Sequence, residues 1–163
     1  MNRKFLDAYT LSYIASSHSE LDHVLEIQII RDAFDKVVAL SPADIVQKAA
    51  LKWLLVEVVN AKENLNPTFP ELNQLKFKGV DEFQRHYKLG TGRAVLGLDH
   101  FMRNFLGDRG VRERIQMEMV HSYDVISKRL ETSMGGQGSS ALQQFRYHLH
   151  LNVEAMGLPN SVG

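Results

Sequence analysis

In the stretch ELDHVLEIQ, residues 20–28, the pair Asp22-His23 stands between apolar neighbours and is followed by Glu26 and Gln28. Further on, ENLNPTFPELNQLKFKG, residues 63–79, supplies Asn64, Asn73, Lys76 and Lys78, and Arg85, Lys88 and Arg93 continue the same basic stretch. An imidazole with a reference pKa of about 6.5 can take a proton from water near neutral pH. Carboxylate and amide oxygens suit a hard cation such as magnesium or manganese better than zinc or copper. A base, a hard cation and nearby lysines and arginines are what hydrolysis of a phosphate ester needs, because negative charge grows on phosphorus and on the leaving oxygen. The same residues also have a plainer reading. Asp22 can sit near the positive end of a helix and Glu26 in its first turn, Asn73 can cap the next helix, and Lys76 and Lys78 can be solvated.

Any such site has to be positioned by elements that are mostly helical. From Glu26, the apolar set Ile27, Ile30, Phe34, Val37 and Val38 recurs at intervals of three and four, predicting an amphipathic helix that ends near Leu40. Ser41-Pro42 is a helix start signal, and residues 43–61 read as a long buried helix with Trp53 in the core. Two prolines and three asparagines break the period across residues 63–79, and a helix resumes near Pro70-Glu71. After a turn at Gly90-Thr91-Gly92, helices are expected over 93–105, 111–134 and 141–156, the last preceded by a glycine-rich connector at 135–140. Strand signals are confined to a loosely alternating stretch, 17–25, whose partner would be 67–69.

The order Asp-His-x-x-Glu-x-Gln, then Asn-Leu at Asn64-Leu65, then Asn-x-x-Lys at Asn73–Lys76, resembles the HNH nucleases. More narrowly, it is similar to the divergent toxin-type branch whose third motif residue is Asn. The resemblance implies a two-stranded hairpin and a following helix, a ββα-metal finger, clamping one divalent cation, Mg or Mn. It implies His23 as the general base, with Asp22 and Asn73 as metal ligands. Asn64 would hold the hairpin loop and the His23 ring, a role for which Asn60 and Asn66 are also placed. Glu26 and Gln28 would give support, and Lys76, Lys78, Arg85, Lys88 and Arg93 would meet the phosphates of DNA or RNA. The implied activity is metal-dependent endonucleolytic cleavage. The alternative is a non-catalytic helical interaction or regulatory protein, including a nuclease fold that has lost catalysis.

Composition bounds both readings. A chain of 163 residues, 44% hydrophobic, suits a single domain, 1–163. The expected class is α+β, mainly helical, with the motif region at about 17–79, a helical insertion at about 41–60 and a helical C-terminal region at about 93–157. That last region would support the motif, bind substrate or form a homodimer. Basic and acidic side chains balance at 19 each, and only residues 61–114 lean basic, with 10 against 7. The neutral total favours the interaction reading, since an indiscriminate nuclease gains affinity from excess positive charge. With no cysteine, a metal must be held by His, Asp, Glu or amide oxygen. No signal peptide or membrane span is apparent, so the expected location is soluble and intracellular, cytoplasmic or nuclear. A small secreted toxin, with or without a neutralising protein partner, carries the same composition.

Overall fold

The computed structural model describes residues 3–40, 45–88, 96–133 and 140–159. Strands β1 (Lys4–Asp7) and β2 (Ser12–Ala15) form an antiparallel hairpin at the N-terminus. Strand β3 (Glu20–His23) then leads into helices α1 (Ile27–Leu40) and α2 (Ile45–Val59), after which β4 (Leu65–Thr68) returns to pair antiparallel with β3. Four helices follow: α3 (Pro70–Lys88), α4 (Leu98–Met102), α5 (Arg109–Ser133) and α6 (Ser140–Ala155). The expected class, mainly helical with a small antiparallel element, is what the fold has, although the described residues hold two such sheets rather than one.

The added sheet is the N-terminal hairpin, which carries no glycine or asparagine turn signal. Its turn is built by a side chain instead. Buried Asp7 accepts from Tyr9 N and from the Thr10 hydroxyl, and Leu11 N closes onto Asp7 O. Leu11 adopts φ +58°, a left-handed conformation that costs a non-glycine residue about 1–2 kcal/mol. Asp7 also accepts from the Asn66 amide and the Thr68 hydroxyl, so one carboxylate fastens β1 to β4.

Pairing of His23 with Leu65 means that the chain leaves the β3–β4 ladder and re-enters it at adjacent points. The closure cost of a long excursion grows only logarithmically with its length, so about forty residues can be inserted here. The excursion holds α1 as well as α2, so its helical part starts at Ile27 rather than near residue 41.

The core lies between α1 and α6, with α5 across them. On α1, Ile29, Ile30, Ala33 and Val37 are buried against Leu142, Phe145, Leu149 and Val153 of α6. Each large side chain so removed from water contributes roughly 1.5–3 kcal/mol before entropy is counted. Buried Asn152 bridges the pair, donating to Ile29 O and Asp32 and accepting from Lys36. On α5, Ile115, Met119, Ile126 and Leu130 fall on one buried stripe. Helix α3 meets α4 at Gly79, where a Cβ would stand 2.9 Å from the Met102 Cα, so only glycine permits the approach. The placement of Trp53 in the core is corrected: it is 74% exposed, and Val56 is 51% exposed. Helix α2 is mostly apolar; among its described side chains Leu51, Leu55 and Val58 are buried and Leu54 and Val59 partly so, while Trp53 and Val56 face out.

Candidate functional site

Strands β3 and β4 and helix α3 form one ββα unit, and α3 runs beneath β3 so that residues a turn apart meet alternate strand positions. The Asn73 amide donates to Glu20 at 3.3 Å. One turn on, the Lys76 ammonium donates to Asp22 Oδ2 at 2.6 Å and to the His23 carbonyl at 2.6 Å. Alternation in the strand turns Asp22 inward, where it is 2% exposed. The same Oδ2 accepts the Tyr9 hydroxyl at 2.7 Å, and the Tyr9 ring lies 5.6 Å from the ammonium, within cation–π range. Glu26 Oε1 completes the cluster 3.2 Å from Lys76 Nζ, at ion-pair distance but accepting no well-directed hydrogen bond.

This cluster holds one ammonium and two carboxylates away from water, where an unpaired charge is costly. Burial raises the Glu26 carboxyl above its ordinary range; neighbouring Lys76 opposes the rise and Asp22 adds to it. When Glu26 keeps its proton, Lys76 and Asp22 balance. Burial, then the adjacent Asp22 charge, pushes the Tyr9 phenol well above its usual value, so it remains a donor.

Asn64 bonds the chain where it leaves and re-enters the strand pair, and its side chain does not meet the His23 ring. Asn64 is fully buried; its amide donates to Leu25 O and Val59 O, and its oxygen accepts from Leu25 N and the Ser122 hydroxyl. It thus ties together the two ends of the excursion and α5. The ring is held by Asn60, whose Oδ1 lies 3.3 Å from His23 Nε2. Asn66 serves neither function: it bonds Asp7 and Ala8 N.

The remaining sequence-predicted residues do not converge on one point. Lys76, expected at a phosphate, is fully buried among carboxylates, and this expectation is corrected, since such an ammonium has no donor left facing solvent. Lys78 is exposed on α3, and Arg85 is exposed and paired with Asp81 one turn earlier on the same helix. Gln28 Oε1 is buried without a hydrogen-bond partner among the described residues. The side chain of Lys88 and the whole of Arg93 lie outside the described residues. The tripeptide Leu98-Asp99-His100 repeats Leu21-Asp22-His23, and there Asp99 pairs with Arg112. Tyr123, for which the sequence offers no partner, meets His150 Nδ1 at 3.1 Å.

The donor set does not fit the expected magnesium or manganese ion. Asp22 Oδ2 already accepts from Lys76 and Tyr9, and a dication placed beside that buried ammonium would be repelled. Asn73, the other implied ligand, is bonded to Glu20, and no hydrogen bond joins it to Asp22. Among the described residues no group of three or more His, Asp or Glu is placed to hold a metal. Tyr9 and Asp7 are the residues that sequence reasoning missed; the only available signal was two polar residues interrupting an apolar N-terminus. No helix among the described residues is long and apolar enough to cross a membrane. Comparison with family models, curated proteins and solved structures found no match.

Proposed function

We propose that this chain is a non-catalytic interaction module in which the ββα unit is a structural node. The observation that carries this reading is the buried Lys76 ammonium, bonded to the His23 carbonyl and to Asp22, the residue the resemblance implies as a metal ligand. Breaking a buried ion pair by removing one partner costs about 3–5 kcal/mol. Lys76→Met is therefore expected to lose about that much stability in urea unfolding, and Asp22→Asn added to it should recover part of the loss. In plasmid and RNA assays with magnesium or manganese, no cleavage is expected beyond that of a His23→Ala control. Cleavage that both EDTA and His23→Ala remove would end the interaction reading.

One observation favours a second reading, a metal-dependent endonuclease acting on DNA or RNA. A strand, a returning strand and a helix follow each other as in a ββα finger, and His23 stands at the ladder end with its ring fixed by Asn60. In that reading Lys76 must leave Asp22 before any ion binds. Activity would then rise, not fall, in a folded Lys76→Ala variant assayed with metal.

A further inference from the structure

We infer that the groove between α1 and α2 receives an amphipathic helix of a partner whose flanks carry carboxylates. The inference rests on the interaction reading and names the partner's chemistry. Ile27, Phe34, Leu55 and Val56 line a groove of about 320 Å³, and Trp53 and Val56 line an adjoining one of about 340 Å³ along α2. Ile27 is 44% exposed here, and Val56 lines both grooves, so exposed apolar surface runs from the α1–α2 groove onto the Trp53 side of α2. A surface of this kind on facing helices matches the way apolar residues at i, i+3, i+4 and i+7 of a docking helix are received.

Charge selects the occupant. Among the described residues, the ionisable side chains lining the two grooves are Arg31 and Lys52, both basic. Asp35, the exposed partner of Arg31 at 3.7 Å, is not among the lining residues. A second copy of this chain, docked through the same face about a two-fold axis, would set the basic groove rim of one copy against that of the other. Like charges so placed oppose association, whereas glutamates flanking an apolar stripe complement the rim. At the groove's end Asn60 both lines the wall and holds His23 Nε2, which joins the docking face to the ββα unit.

Trp53 is the single tryptophan of the chain, so its emission reports on this face alone. The probes are two synthetic helical peptides of 14 residues, the length of α1, with the same leucine stripe and either Glu or Lys on the flanks. Expected with the full-length chain are a saturable blue shift with the Glu peptide, affinity at least about tenfold weaker for the Lys peptide, and reversal of that preference in Lys52→Glu. Weaker binding at high salt is expected as well. Equal response to both peptides, or no response, overturns the acidic-helix assignment. So does a concentration-dependent blue shift of the chain alone with dimer in sedimentation, but that result leaves the interaction reading standing. Metal-dependent, His23-dependent cleavage overturns the interaction reading instead.

Discussion

Lys76 sets the chemistry of its surroundings because a buried ammonium must find acceptors, and the fold offers it Asp22, the His23 carbonyl and the edge of Glu26. With two carboxylates around one cation, the raised Glu26 carboxyl has a consequence for stability. Its unfolded value is about 4.3, and in the native state it holds its proton to higher pH. Between those two values the native state binds more protons than the unfolded one. Stability from this group is therefore complete below the unfolded value and is lost as pH rises through the folded one. Glu26→Gln is expected to flatten that decline, so that its stability relative to the parent improves from about pH 4.3 upward and then levels off. Urea midpoints across that range check this; an unchanged slope would show that Glu26 titrates normally.

The β3–β4 ladder and the helical excursion depend on each other through Asn64, which bonds both Leu25 and Val59 at the points where the chain leaves and returns. Removing its amide leaves Leu25 N and O without partners in a buried place, at about 1–3 kcal/mol for each unsatisfied group. Asn64→Ala is expected to lose about 3 kcal/mol in total. Hydrogen exchange should locate the loss first in β4 and the start of α1; uniform loosening across α5 and α6 would contradict this coupling. The first helix of the excursion was legible from its apolar period and the second from its composition after Ser41-Pro42, while the strand pair was read from loose alternation over 17–25 with a partner at 67–69, where the structure has Glu20–His23 and Leu65–Thr68. The β1–β2 hairpin was not. Its turn rests on an Asx-type bond from Tyr9 N to Asp7, a weak local signal without an accompanying glycine or asparagine, and on a strained Leu11, which has none.

For the molecule as a whole, packing one core between α1, α5 and α6 leaves α2 at the margin. A helix this apolar ordinarily belongs inside a protein or inside an interface, and here Trp53 and Val56 of its described residues stay open to solvent. The native emission of Trp53 is expected to lie close to that of water-exposed indole and to move little on unfolding in guanidinium, while circular dichroism shows the cooperative transition. A native spectrum strongly shifted to the blue at high dilution would mean that the indole is buried and that no free docking face exists.

By itself the sequence determined the helical class, most helix positions, the site of the strand pair and the polar residues that gather around it. Those follow from periodicity, caps and turn residues, which are local. Only the tertiary structure decided what the polar residues do. Asp22, Asn73 and Lys76 carry the same motif whether they hold a cation or, as here, Lys76 holds Asp22 and Asn73 holds Glu20, and the choice depends on which side chain reaches which oxygen across fifty residues of chain. Tyr9, from an element without a motif, closes the same oxygen from the far side. Trp53 shows the complementary limit: hydrophobicity marks a residue as wanting burial, but the packing of the other helices decides whether the chain itself supplies the cover.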